Sequence, residues 1–119
     1  MTTTDKMEFH DLLSGFVRIH ILHHATEGEV YGQWLIEELA RHGYRISPGT
    51  LYPMLQGMEE RGYLASREDA EGRLGRRRKV YTATDEGRRG LEIARERLRE
   101  LMGEVGPGEM KQTRRGGPP

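Results

Sequence analysis

Residues 46–64 read ISPGTLYPMLQGMEERGYL, and this stretch decides the fold. Ser47 is a residue type that caps helix N-termini, and Pro48 suits the first helical position, where an N–H has no partner. Gly62 is typical of the position just after a helix. Between these signals, four apolar side chains repeat at helical spacing. They predict a helix over about 48–61 whose buried face holds Leu51, Met54, Leu55 and Met58.

Two helices are predicted before this stretch. The first spans about 5–24, because Asp5 and Glu8 have capping-box spacing and apolar residues then recur over a wide arc. The second spans about 31–41. The polar residues 26–30 between them are expected to form a link.

A hairpin and a long helix are predicted after the stretch. Residues 63–67 and 79–83 are prone to form strands, and the glycine-containing segment 69–77 forms the tip between them. Thr84 can cap a last helix over 85–105, whose first turn carries acids that the helix dipole favours. Three helices followed by a hairpin is the element order of a winged helix domain.

Several short motifs resemble those of the PadR family of bacterial transcriptional regulators. They are Tyr31-Gly32, the string from Ile46 to Leu55, Glu59, Gly62-Tyr63-Leu64, the string from Arg77 to Thr84, and Gly87. The resemblance covers about residues 9–105 and implies a winged helix-turn-helix fold that binds DNA. It also implies repression of a nearby promoter, relieved by some signal. The single C-terminal helix resembles the short-tailed branch of the family.

The predicted fold class is therefore mainly α with a small β-hairpin. We expect a winged helix DNA-binding domain over 1–84 and a dimerisation helix over 85–105. The tail 106–119 is half glycine and proline and is too poor in apolar residues to fold, so it is predicted to be disordered.

Charge is unevenly spread along a chain whose net charge is zero. Residues 1–43 carry three basic and seven acidic groups (net −4), and residues 44–84 carry eight and five (net +3). Residues 85–105 carry five and six (net −1), and residues 106–119 carry three and one (net +2). Basic charge in the middle of the chain favours a phosphate-facing surface there.

The composition also sets expectations about location and chemistry. The chain has no cysteine, which excludes disulfides, thiolate metal sites and thiol nucleophiles. The polar start and the lack of a long apolar run predict a cytoplasmic protein without a membrane segment. No phosphate-binding loop or nucleophile motif is present, so we expect neither a cofactor nor an enzyme.

The outer face of the helix after Ser47 is expected to meet DNA. Near its N-terminus this face is small and uncharged, which allows close approach to a groove, and Gln56 could read adenine through two hydrogen bonds. Backbone amides after Ser47 could hold a phosphate. An ordinary exposed helix face is the alternative. The candidate DNA-binding residues are Ser47, Gly49, Thr50, Tyr52, Pro53 and Gln56.

The tip of the predicted hairpin adds a run of cations. Such a run on a projecting hairpin fits insertion along a DNA backbone or into a minor groove, and a solvated basic loop is the alternative. The five candidate residues are Arg73, Arg76, Arg77, Arg78 and Lys79.

A homodimer is expected through the last helix, assisted by the first. Apolar residues repeat along the last helix at spacings of three and four, which is typical of a coiled-coil seam. A dimer of this kind would place two reading helices in successive major grooves of an inverted repeat. A small-molecule effector could bind at the interface, whose candidate residues are Phe9, Leu12, Phe16, Leu91, Ala94, Leu98, Leu101 and Val105.

Two further interpretations of the sequence stay open. His20 and His24 are one helical turn apart and adjoin His23, but no cysteine joins them, so no metal site is predicted and the question of a metal remains. The alternative function is a winged helix that binds protein rather than DNA. The arginine run argues against it, because a protein-binding wing has no evident need for that charge.

Overall fold

The computed structural model describes residues 9–70 and 77–106. The elements follow the predicted order, with the fold class confirmed as mainly α with one antiparallel hairpin. They are α1 (His10–Glu27), α2 (Gly32–Arg41), α3 (Pro48–Glu60), β1 (Leu64–Asp69), β2 (Arg78–Ala83) and α4 (Asp85–Val105).

The first helix and the link after it differ from the prediction. The expected capping box at Asp5 and Glu8 lies outside the described residues, and α1 continues to Glu27, past the predicted end. The prediction of a purely polar link was wrong at Val30, which is buried and pairs with Tyr81 of β2 through N···O distances of 3.0 and 2.8 Å. Val30 is β-branched and therefore suited to pairing with a strand edge, and this pairing attaches the link to the hairpin.

Helix α3 begins and ends as its sequence predicts. Ser47 has an extended backbone at the N-cap and Pro48 is the first helical residue, but the Ser47 hydroxyl makes no capping hydrogen bond and lies 3.5 Å from Thr50 Oγ1. Gly62 follows the helix with a φ of +87°, a conformation that costs other residues a Cβ clash. The chain therefore reverses there and enters β1.

The hairpin pairs Leu64 with Ala83 at its base and Asp69 with Arg78 towards its tip. Both strands are longer than predicted at the tip end. At the base, Thr84 caps α4 by accepting a 3.0 Å hydrogen bond from the Gly87 amide, and its hydroxyl donates to the Gly62 carbonyl at 2.6 Å. One threonine thus fixes the start of α4 against the end of α3.

The core lies between α1, the other helices and the hairpin. Helix α1 contacts α2, β2 and α4, and α3 contacts α2 and β1. Each buried leucine contributes about 1.5–3 kcal/mol to the free energy of folding. The largest fully buried side chains are Val17, Ile21, Leu35, Leu39, Leu51 and Leu55.

Leu91 belongs to this core, which corrects its assignment to a dimer seam. Its side chain is 3% exposed, because the first turns of α4 lie against α1, with Gly87 next to Leu22. An apolar residue on that part of α4 therefore faces the core of its own chain. The seam predicted from the sequence can begin only after Leu91.

Candidate DNA-binding surface

Helix α3 has an apolar inner face and a small, polar outer face. The four side chains predicted to face inward are all buried in the core. On the outer side, Ser47 and Thr50 are half-buried, whereas the other candidate residues of this helix are exposed: Gly49, Tyr52, Pro53 and Gln56. The structure therefore presents all six at one surface of the domain.

Tyr52 also has a structural partner that the sequence analysis did not assign. Its ring lies directly over Gly32 at the start of α2, and a Cβ on Gly32 would collide with that ring. The side chain is 45% exposed, so one side of the ring packs and the other stays accessible. This contact sets the distance between α2 and α3.

Gln56 is engaged with a neighbour one turn further along α3. Its amide nitrogen lies 3.4 Å from a carboxylate oxygen of Glu60, and both side chains are exposed. A contact this long is weak, so a base edge can replace it. The side chain is free to turn towards the N-terminal part of the face.

The described cations of the hairpin each face an acid of the same protomer. Arg77 lies 3.2 Å from Glu68, and Arg78 lies 3.4 Å from Asp69. The predicted contacts at Arg73 and Arg76 lie outside the described residues. The pair of Arg77 and Glu68 is exposed, and such ion pairs contribute about 0–1 kcal/mol, so a phosphate can displace Glu68.

Lys79 connects the hairpin to α3. Its ammonium group lies 3.8 Å from Glu59 of α3, and Ser66 of β1 donates a 2.8 Å hydrogen bond to the same carboxylate. The basic hairpin and the C-terminal end of α3 are therefore neighbours, and they form one continuous surface.

Arg78 is held more firmly than Arg77. Its guanidinium carbon lies 3.8 Å from the centroid of the Tyr31 ring, and its Nε atom is buried with no hydrogen-bond partner among the described residues. A cation over an aromatic face gains about 0.5–2 kcal/mol. Arg78 therefore fixes the hairpin against the start of α2, a role that its sequence position did not reveal.

The sequence analysis also missed a second contact that holds the hairpin in place. Arg67 of β1 binds Glu29 through two 2.7 Å hydrogen bonds, and this contact holds the pKa of the Glu29 carboxyl below its ordinary value. The partners are far apart in the chain, so no local pattern could have paired them. Together with Val30 and Arg78, this pair ties the wing to the segment before α2.

Comparison with known proteins identifies the chain. The model of the family described as "Transcriptional regulator PadR-like family" matches residues 21–93. The chain belongs to this family of transcriptional regulators. Transcriptional regulator Rv3488 of Mycobacterium tuberculosis is 54% identical over 89 residues, which are 75% of this chain and 81% of that protein.

Solved structures of PadR relatives show the same winged helix fold. A PadR family transcriptional regulator from Eggerthella lenta is 35% identical, with a TM-score of 0.70 over 81% of this chain and 83% of that one. A Streptococcus transcriptional regulator is 26% identical, also with a TM-score of 0.70, over 79% of this chain and 92% of that one. Among the described residues of the PadR-like chain, no helix is long and apolar enough to cross a membrane.

Two helices of this PadR-like chain expose apolar side chains. Phe9, just before α1, is 72% exposed, and on α1 itself Leu12 is 73% exposed and Phe16 follows one turn later at 38%. On α4, Ala94 and Leu98 are half-buried, and Leu101 and Val105 are exposed. Met102, which the sequence analysis did not single out, adjoins this stripe. Exposed apolar surface of this kind is typical of an interaction face.

Four of the five histidines of the PadR-like chain lie together where α1 meets the end of α2. The rings of His20 and His42 have centroids 4.9 Å apart, and the edge of His24 packs on Trp34 at 5.2 Å. Burial, followed by the charge of neighbouring histidines, lowers the pKa of both His20 and His24. Trp34 is partly buried and packs against the core.

Proposed function

We propose that the chain is a homodimeric repressor that binds an inverted-repeat operator with α3 in the major groove and the hairpin on the flanking backbone. The observation that carries this proposal is that α3 exposes a polar outer face while the cationic hairpin lies beside its C-terminal end, where Lys79 contacts Glu59. Helix-turn-helix proteins dock on DNA through a helix placed in this way.

Each candidate residue has a role that its position supports. Gly49 and Pro53 are small enough to let α3 approach the base edges, and Gln56 reads a base. Ser47 and Thr50, beside the first turn, bind a phosphate with the backbone amides there. Phosphates also attract the cations of the wing, namely Arg73, Arg76, Arg77 and Lys79, while Arg78 mainly holds the wing in place.

The dimer forms through α4, assisted by α1. Leu101 and Val105 continue the stripe of Ala94 and Leu98 beyond the protomer core, and they have no cover within the described residues. A symmetric partner covers this stripe with its own copy and can add the α1 face that contains Leu12. The two reading helices are then related by a twofold axis, which an inverted repeat matches.

Regulation and location follow from this arrangement. A small-molecule effector at the dimer interface would change the spacing of the two reading helices and release the operator. The protein acts on the chromosome and therefore in the cytoplasm, and its chemistry is binding rather than catalysis.

Selection of bound DNA from a random pool tests the proposal. We expect enrichment of an inverted repeat, followed by a mobility shift with that sequence that unrelated DNA does not reproduce at the same salt concentration. Enrichment without twofold symmetry would contradict the dimeric mode of binding. The absence of any shift would favour the alternative of a protein-binding winged helix.

A further inference from the structure

Two helices bring four potential metal ligands together at one point. His20 and His24 lie one turn apart on α1, and Glu38 lies one turn before His42 at the end of α2. Residues four apart share one face of a helix. The two faces meet here, so that His24 and His42 lie within 3.5 Å of Glu38, and the ring of His20 lies beside that of His42.

The distances between these side chains suit coordination. Glu38 Oε2 lies 3.1 Å from His42 Nε2 and 3.5 Å from His24 Nε2. One ligand nitrogen from each of His20, His24 and His42 falls within a cluster 4.8 Å across. Ligands of a tetrahedral zinc ion, with bonds of about 2.0–2.1 Å, stand about 3.3 Å apart. The distances from Glu38 Oε2 to His42 and His24 are close to that value, and the three histidine nitrogens lie within 4.8 Å of one another.

We propose that His20, His24, His42 and Glu38 form a binding site for one divalent ion of the late first transition row, with Zn²⁺ as the reference ion. Three imidazoles and one carboxylate suit zinc and its neighbours, whereas magnesium and calcium prefer sites made of oxygen alone. Nothing in the DNA-binding surface requires these residues.

The surroundings of Glu38 support the site. Its carboxylate is 14% exposed, and Arg41 lies 3.2 Å from Oε1, which is the oxygen that does not face the histidines. Arg41 can therefore orient the carboxylate while Oε2 points at the ion. Outer partners of this kind are a regular part of metal sites.

A second group of residues competes for His24. His23, His24 and Glu27 also place their ligand atoms close together, with His23 Nε2 3.5 Å from Glu27. Glu27 is 63% exposed, and all three residues lie on α1. The cluster that spans α1 and α2 has the better shielded carboxylate and a larger set of ligands, so we assign the ion to it.

The test measures zinc binding to the full chain after removal of bound metals. Zn²⁺ is titrated in competition with a chromophoric chelator, and Co²⁺ is added separately to record the visible absorption of tetrahedral coordination. We expect one ion per chain and a tetrahedral Co²⁺ spectrum. Replacing His42→Gln should weaken Zn²⁺ binding by about tenfold or more and abolish that spectrum, since loss of even an outer partner costs about 10–100-fold.

Two matched variants show whether the ion binds at this site or elsewhere on α1. His10→Gln removes a histidine of the same helix about 15 Å away along the axis and should change nothing. Glu27→Gln removes a ligand of the competing group and should also leave the affinity unchanged. Equal affinity in the wild-type protein and His42→Gln, or a loss with Glu27→Gln instead, would overturn the assignment.

Folding is checked independently of ion binding. Circular dichroism should match between the wild-type protein and His42→Gln, because the His42 side chain is 46% exposed. Zn²⁺ should raise the melting temperature of the wild-type protein and not that of the variant, since a ligand stabilises only the state that binds it. If His42→Gln fails to fold, His20→Gln provides the same test, and an unaltered affinity there would equally overturn the site.

Discussion

The ring of Tyr52 lies against the bare backbone of Gly32, so that α3 meets α2 with no side chain between the aromatic ring and the helix. This contact fixes how far α3 projects from the domain. The same tyrosine leaves nearly half of its surface on the side proposed to face DNA. Tyr52 therefore contributes both to the packing of α3 on α2 and to the proposed DNA-binding surface.

Substitution of Gly32→Ala should destabilise the fold. The added Cβ collides with Tyr52 and forces the ring or α2 to shift, and overpacking of this kind costs about 1–3 kcal/mol. Chemical denaturation followed by circular dichroism measures the loss. Gly57→Ala on α3 is the matched control, because its Cβ meets nothing within 4 Å and alanine favours the helix. Equal stability of the two variants would show that the ring does not pack on Gly32.

The ion pair between Arg77 and Glu68 predicts that substitutions of these two residues change the affinity for DNA in opposite directions. Arg77→Ala should weaken binding to every DNA sequence and reduce the salt slope of the dimer by about two units, because one phosphate contact is lost from each subunit. Glu68→Gln should strengthen binding, since it frees Arg77 from its 3.2 Å partner. The salt dependence of affinity measures both effects, and Arg89→Ala on α4 serves as a control. An unchanged slope in correctly folded Arg77→Ala would remove Arg77 from the contact surface.

Gln56 should affect sequence preference more than general affinity. Gln56→Ala should relax the preference at one symmetric pair of operator positions, at a cost of about 1–3 kcal/mol. Competition between the selected operator and single-position variants provides the measurement. A uniform loss on operator and random DNA alike would mean that Gln56 positions the helix without reading a base.

The pair formed by Glu29 and Arg67 predicts a stability difference that depends on pH. Its hydrogen bonds lower the pKa of Glu29 in the folded state, so its contribution is present above the ordinary glutamate range, near 4.3, and is lost as the pH falls through the lowered pKa. Glu29→Gln should therefore be less stable than the wild-type protein at pH 7, and this difference should shrink as the pH is lowered into the acid range. Melting temperatures of the two proteins, measured at neutral and at acid pH, test this. A difference in melting temperature that does not shrink in acid would contradict the role of the ionised Glu29 carboxylate.

Local signals predicted most of the architecture, because helices and caps depend on near neighbours. The structure confirms the buried face from Leu51 to Met58 and the cap at Thr84. The larger failures involve contacts between distant segments. Val30 joins a hairpin that lies far along the chain, and Leu91 is buried because the start of α4 crosses α1.

The same reason explains which contacts of the candidate site could not be predicted from the sequence. The sequence predicted no partners for the hairpin cations, because neither Glu59 nor Tyr31 lies near them along the chain. The histidines of α1 alone are too few for a metal site, because Glu38 and His42 join them only after α2 folds back.

Sedimentation equilibrium of the protein at micromolar concentration tests the central claim, that two chains act as one DNA-binding unit. The wild-type protein should be a dimer, and Leu101→Glu should not, because a charge would enter the seam on each subunit. Gly103→Glu places the same group on the opposite face of α4, where no atom of the described residues lies within 4 Å of the new Cβ, and should remain dimeric. A well-folded monomer in the wild-type protein would contradict the dimer, and with it the inverted-repeat operator.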